Sequence, residues 1–86
     1  MYQVIFSKPA LKSLKRIPAE YQIKIKAGSE KLRINPFILD LRKLGPEYNA
    51  THRLRIGNYR LFLQIDTTLK VIKIAEIERR TSQTYH

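Results

Sequence analysis

The sequence contains no cysteine, only two histidines and only seven acidic residues among its 86. The absence of cysteine excludes a disulfide framework and a thiolate site, which is compatible with a reducing cytoplasm. His52 and His86 alone make a metal site unpromising. The longest apolar runs are far too short to cross a bilayer, and Met1 leads directly into a strand-like stretch instead of a charged and then apolar leader. We therefore expect a soluble cytoplasmic protein with no cofactor and no membrane partner.

The length of 86 residues indicates one domain spanning residues 1–86. A domain of this size buries only about 60% of the surface that its unfolded chain exposes. It can form one sheet covered by a helix or two, but not a deep, enclosed pocket. An open groove favours a macromolecular substrate over a small one.

Basic residues dominate the charge. Seventeen Lys and Arg against seven Asp and Glu give a formal net charge of +10. Such an imbalance usually serves association with a polyanion. Nucleic acid, an anionic membrane, an acidic protein partner and an inert basic surface all remain open on charge alone.

The first half of the chain predicts a strand followed by two helices. Residues 2–6 are β-branched and aromatic. Ser7 occupies an N-cap position and Pro9 lies in the first turn of the helix that follows. Pro18 interrupts that helix and opens a second, which ends at Asn35-Pro36. Apolar residues recur at helical spacing in both: Ala10, Leu11, Leu14 and Ile17 in the first, and Tyr21, Ile23, Ile25, Ala27, Gly28 and Leu32 in the second.

The second half predicts strands joined by turns. A short strand ends at Gly45-Pro46, and strands follow over residues 53–56, 59–65 and 69–77, with a polar tail over 78–86. Strands joined by tight turns are antiparallel. The predicted fold class is α+β: an N-terminal strand, a helical hairpin, and then an antiparallel three- to four-stranded sheet with the helices on one face.

Gly57-Asn58 is a two-residue hairpin signal that defines a register. It places Arg55 opposite Arg60, and Arg53 opposite Phe62. These four side chains share one face of the sheet, while the leucines between them point toward the helices.

Arg55 and Arg60 would then be direct cross-strand neighbours of like charge, which costs on the order of a few tenths of a kcal/mol or more. An anion between them would relieve the repulsion, and the planar arginine fork suits a phosphate. Phe62 beside them suits a stacked RNA base. A solvated face, whose arginines splay apart or pair with Glu76 or Glu78, is an equally good interpretation.

The tail adds a second group of candidates. Arg79 and Arg80 follow directly on the last predicted strand and so lie at an edge of the sheet. Tyr85 could stack on a base or assist a proton transfer, although a frayed terminus is the more ordinary interpretation.

The whole chain resembles the RelE/ParE superfamily of bacterial and archaeal toxins. The pattern R-x-R-x-G-x-Y-R of the hairpin is the most specific part of the resemblance. The matching segments are residues 2–7 (YQVIFS), 11–14 (LKSL), 35–37 (NPF), 41–44 (LRKL), 53–60 (RLRIGNYR) and 78–80 (ERR), with Tyr85.

RelE-like members cleave messenger RNA in the ribosomal A site without a metal. A 2′-hydroxyl attacks the adjacent phosphate and leaves a 2′,3′-cyclic phosphate. The resemblance implies that Arg60 stabilises the phosphorane, that Arg79 lies near the leaving oxygen and that Tyr85 stacks on a base. Arg53 and Arg55 occupy positions that are usually lysine.

The general base is not assigned by this resemblance, because a guanidinium group does not give up its proton in proteins. His52, Glu78 and Tyr85 are all candidates, and position 78 is often histidine in relatives. We also hypothesise that Arg55, Arg60 and Arg79 converge on one scissile phosphate.

The resemblance further implies two partners, a cognate antitoxin and the ribosome with its messenger. We therefore expect Arg55, Arg60, Arg79 and Tyr85 to be catalytic and Arg53, Phe62 and Arg80 to bind RNA. Two other functions remain open: a ParE-like toxin that poisons DNA gyrase, and a non-catalytic RNA- or ribosome-binding module.

Overall fold

A computed structural model describes residues 1–38 and 40–79 of the chain. Its elements follow one another in the order strand, two helices, a short 3-10 helix and four strands. They are β1 (Gln3–Phe6), α1 (Lys8–Arg16), α2 (Ala19–Ile34), the 3-10 helix (Pro36–Ile38), β2 (Leu41–Lys43), β3 (His52–Ile56), β4 (Tyr59–Asp66) and β5 (Val71–Arg79).

All five strands form one sheet in the order β1-β5-β4-β3-β2. The four strands after the helices pair antiparallel with their neighbours, which confirms the predicted α+β class. The N-terminal strand β1 joins the far side of β5 in a parallel pair, so the complete sheet is mixed. A parallel partner requires a long crossover, and here nearly the whole chain lies between β1 and β5.

Local signals define both helices as predicted. The Ser7 hydroxyl accepts a hydrogen bond from the Ala10 amide at 3.1 Å and caps α1. Pro18 is the N-cap residue of α2, and Asn35 ends that helix in an extended conformation. No helix in the described ranges is long and apolar enough to cross a membrane.

The core lies between the helices and one face of the sheet. Three predicted apolar positions do not belong to it: Leu11, Ile23 and Ala27 face solvent. On α2 the sheet contacts a narrower stripe of residues than the sequence suggested. Ile25 and Leu32 fill the space between the helix and the sheet, and Ser29 is the buried residue between them. The buried hydrophobic residues are Ala10, Leu14, Ile17, Ile25, Leu32, Leu54, Tyr59, Leu61, Leu63, Ile72, Ile74 and Ile77.

The β3–β4 hairpin has the register that its two-residue turn predicts. Arg55 lies opposite Arg60 and Arg53 lies opposite Phe62. Gly57 has a φ of +58°, a backbone conformation that glycine adopts without steric cost.

β5 differs from the prediction at both ends. It begins at Val71 instead of residue 69, after a turn in which Lys70 has a φ of +58°. It continues to Arg79 instead of ending at Ile77, because Arg79 still pairs with Tyr59, the first residue of β4. Arg79 is therefore the last residue of the strand and does not follow it.

Candidate nucleic-acid interface

The sheet face turned away from the helices carries most of the predicted site. We call it the open face and define it by two rows of cross-strand neighbours. One row contains Arg55, Arg60 and Glu78 on β3, β4 and β5. The other contains Arg42, Arg53, Phe62 and Glu76 on β2 to β5.

A groove of about 470 Å³ runs across this face. Its floor includes Arg53, Arg60 and Phe62, and Glu76 and Glu78 lie on the β5 side. The loop over residues 47–50 forms the opposite wall. With Glu47 and Tyr48 of the loop, the groove therefore brings two guanidinium groups, two aromatic rings and three carboxylates together in one open concave surface.

The arginines of the open face have no ionic partner within the described part of the chain. The single ion pair closer than 4.0 Å there is Glu30–Arg33 on α2, with an N–O distance of 2.9 Å. Nε of Arg60 is buried and has no hydrogen-bond partner. The interpretation in which Arg60 pairs with Glu76 or Glu78 is therefore not supported by the geometry. A buried N–H without a partner costs roughly 1–3 kcal/mol.

An irregularity in β5 determines which residues reach the open face. The register with β4 shifts between Phe62 and Leu63, so that Phe62 lies opposite Glu76 while Leu63 lies opposite Ile74. Ala75 is the additional residue of this β-bulge. Before the bulge the buried residues of β5 are Ile72 and Ile74, and after it the buried residue is Ile77.

This bulge corrects the hypothesis that three arginines converge on one phosphate. By strand register Arg55 and Arg60 share the open face, and Arg55 also lines a separate cavity with Lys24 and Lys31 of α2. Arg79 lies opposite Tyr59, whose side chain is buried against the helices, so Arg79 belongs to the helix-covered face. The convergence is wrong for Arg79, because the bulge reverses the alternation of β5 beyond Ala75.

Arg79 instead borders a second cavity, of about 460 Å³, on the helix-covered side. Arg16 and Tyr21 from the helices and Tyr59 from β4 also line it. The rings of Tyr21 and Tyr59 meet edge to face, with centroids 5.4 Å apart.

His52, one of the candidate bases, also lies away from the open face. It is opposite the buried Leu63 on β4, and its ring meets Phe37 edge to face at a centroid distance of 6.2 Å. Burial and, secondarily, the positive charge of Lys43 lower the pKa of His52 from its usual 6.5. His52 and Arg60 therefore occupy opposite faces of the sheet.

Two of the predicted site residues, Arg80 and Tyr85, lie outside the described residues. Within the described residues, no three His, Asp or Glu side chains cluster closely enough to hold a metal ion.

Arg42 is a member of the open face that the sequence reasoning missed. It lies on the short edge strand β2, directly opposite Arg53. The eight residues between β2 and β3 do not impose a register as a two-residue turn does. In the sequence, only the alternation of Leu41, Arg42 and Lys43 indicated which face of the sheet Arg42 occupies.

Known proteins match this chain over most of its length. The family model described as ParE toxin of type II toxin-antitoxin system, parDE, matches residues 4–83. Toxin RelE3 of Methanocaldococcus jannaschii is 31% identical over 68 residues, which are 74% of this chain and 76% of that toxin.

Solved structures share the fold as well. The toxin–antitoxin complex RelBE2 from Mycobacterium tuberculosis contains a chain with a TM-score of 0.81 and 25% identity, and the match covers 92% of this chain and 98% of that one. A chain of the archaeal RelE–RelB complex from Pyrococcus horikoshii also has a TM-score of 0.81, at 26% identity, with 94% and 97% covered. The family match, the relative and the shared fold agree: this chain belongs to the RelE/ParE superfamily of toxins of type II toxin–antitoxin systems.

Proposed function

We propose that this toxin is a ribosome-dependent messenger RNA endoribonuclease of the cytoplasm. A 2′-hydroxyl of the bound RNA attacks the adjacent phosphate, and a 2′,3′-cyclic phosphate and a 5′-hydroxyl result, without a metal ion. The observation that carries the proposal is that Arg55 and Arg60 are cross-strand neighbours on the open face and have no ionic partner in the described part of the chain.

The open face has the groups that this reaction requires. The transition state carries extra negative charge on the phosphoryl oxygens, and fixed cationic donors at that point lower the barrier. Arg60 can direct its terminal nitrogens at one phosphate while Arg55 neutralises it from the opposite strand. Arg42 and Arg53 extend positive charge toward the neighbouring phosphate, and Phe62 offers a stacking surface for a base.

The proposed protein partner is a cognate antitoxin. The structural relatives from M. tuberculosis and P. horikoshii were crystallised in toxin–antitoxin complexes. With a net charge of +10, this chain favours a partner segment rich in Asp and Glu, which would cover the basic groove by charge complementarity.

The test is a translation reaction supplied with purified protein, in which messenger ends are mapped by primer extension. We expect codon-phased cuts with the wild type and none without ribosomes. Arg60→Ala should abolish the cuts. Arg33→Ala removes the same side chain and the same charge from an exposed position on α2, and it should cut like the wild type.

A second candidate function has support from the family match, whose description is that of ParE toxins. A ParE-like toxin would poison DNA gyrase and leave messenger RNA intact. Intact messenger together with inhibited gyrase supercoiling would establish this alternative. Ribosome binding without either activity would indicate a non-catalytic RNA-binding module.

A further inference from the structure

We infer that Glu78 is the general base of this toxin, the group that accepts the proton of the attacking 2′-hydroxyl. The inference rests on the proposed ribonuclease function. It assigns the general base, a role that the arginines at positions 53 and 55 cannot fill because a guanidinium group does not give up its proton. A base must lie within hydrogen-bond reach of the hydroxyl while Arg60 holds the phosphate.

The bulge at Ala75 places Glu78 beside Arg60. The two are direct partners in the antiparallel ladder of β4 and β5, and Cβ atoms of such partners are about 4.5–5.5 Å apart. Both side chains line the groove of the open face. Without the bulge, Ile77 would lie opposite Arg60 and Glu78 would face the helices.

The carboxylate of Glu78 is free to act. No ion pair within 4.0 Å engages it in the described part of the chain, and the side chain is exposed. A phosphate bound by Arg60 would therefore have an unoccupied carboxylate on one side and the guanidinium of Arg55 on the other.

The other candidates in the described residues are less well placed. His52 lies on the helix-covered face. The carboxylate of Glu47 folds back onto its own loop, where Oε1 lies 2.5 Å from the position that a Cβ on Gly45 would occupy. Glu76 lies opposite Phe62, one row away from the arginine pair and beside the proposed base-stacking position.

The chemical step balances without a further reactant. The Glu78 carboxylate takes the 2′-hydroxyl proton as the 2′-oxygen forms a bond to phosphorus. The bond from phosphorus to the 5′-oxygen then breaks, and the leaving 5′-oxygen takes a proton from solvent or from a general acid. Arg55 and Arg60 neutralise the phosphorane between these events.

The experiment compares cleavage rates of ribosome-bound messenger at saturating toxin for the wild type, Glu78→Gln, Glu78→His and the neighbouring variant Glu76→Gln. The matched control is Glu20→Gln, which removes the same charge from the exposed first turn of α2. Removal of a general base lowers the rate by about 10²- to 10⁴-fold. We expect that loss in Glu78→Gln, with unchanged ribosome binding, a smaller loss in Glu76→Gln, and less than a threefold change in Glu20→Gln.

Glu78→His provides a readout that a purely structural role would not change. Imidazole is an effective base near neutral pH, with an ordinary pKa of about 6.5, so this variant should recover much of the lost rate. Its rate should fall between pH 7.5 and 6, where an imidazole takes up a proton.

The outcomes separate the two proposals. Wild-type cuts that persist at full rate in Glu78→Gln, or that disappear only in Glu76→Gln, would overturn the assignment of Glu78 and leave the ribonuclease intact. Wild-type protein that makes no cuts would overturn the ribonuclease proposal and the base together.

Discussion

Replacing Arg60 by methionine should make the isolated toxin more stable while removing its activity. Most substitutions of partly buried residues in small domains are destabilising. Arg60 is expected to be an exception because it faces Arg55 across the strand pair and buries Nε without a partner. Methionine keeps a flexible apolar stem of similar length in the sheet.

Two contributions determine the size of the effect. Relief of the like-charge pair is worth roughly 0.2–1 kcal/mol, and removal of the unpartnered buried N–H is worth roughly 1–3 kcal/mol. Lost contacts of the guanidinium plane oppose both. We therefore expect Arg60→Met to raise the free energy of unfolding by about 1–2 kcal/mol.

Urea denaturation measures this difference without adding salt. Arg42→Met is the matched control, because Arg42 lies opposite Arg53 and its removal relieves a like-charge pair only. It should stabilise by less than about 1 kcal/mol. In 1 M salt, where the Debye length is about 3 Å, the gain from Arg42→Met should vanish and most of the gain from Arg60→Met should remain.

The opposite sign would refute the reasoning. If Arg60→Met lowers the free energy of unfolding by more than 1 kcal/mol, the guanidinium is a structural element of the sheet. Equal gains from both variants, lost together in high salt, would show that the buried Nε carries no cost.

Three further predictions concern the scaffold. The Ser7 hydroxyl caps α1 and donates a hydrogen bond to the carbonyl of Ala75, the bulge residue, at 2.6 Å. Ser7→Ala should therefore lower the free energy of unfolding by about 1–2 kcal/mol in thermal unfolding. Because the bulge positions Glu78, the cleavage rate should fall by more than the loss of folded protein explains. A Cβ on Gly28 would lie 2.7 Å from Cδ1 of Ile56. Gly28→Leu should therefore lower the free energy of unfolding, measured in urea, by roughly 1–3 kcal/mol. An unchanged free energy would mean that α2 is not tightly packed on β3. Because its pKa is lowered, His52 binds a proton more weakly in the folded protein than in the unfolded chain. The neutral imidazole therefore contributes to the free energy of unfolding above about pH 6.5, and this contribution is lost as the pH falls. His52→Gln should therefore lose less stability between pH 7 and 5 than the wild type, and parallel pH curves would contradict this.

The parts of the fold that local chemistry determines were predictable. A two-residue turn leaves one register for a hairpin, and Gly57-Asn58 therefore placed Arg55 opposite Arg60. Ser7 and Pro18 likewise marked the helix starts, because capping depends on residues within one turn.

Features that depend on distant partners were not predictable in the same way. The parallel pairing of β1 with β5 joins segments about 70 residues apart, and no local pattern specifies it. The bulge at Ala75 reversed the faces of Glu78 and Arg79. Its trace in the sequence is the three-residue spacing of Ile74 and Ile77, which breaks the two-residue period of a regular strand.

The pairing of β1 with β5 has a consequence for synthesis. β5 is translated after the four other described strands, yet it supplies three core residues, Ile72, Ile74 and Ile77, and the carboxylate side of the groove. A nascent chain that still holds β5 inside the ribosome has made Arg55 and Arg60 but can close neither its core nor its groove. Contacts between the two ends of a chain also form slowly. The arginines of β3 and β4 therefore gain their carboxylate neighbours only when β5 pairs with β4.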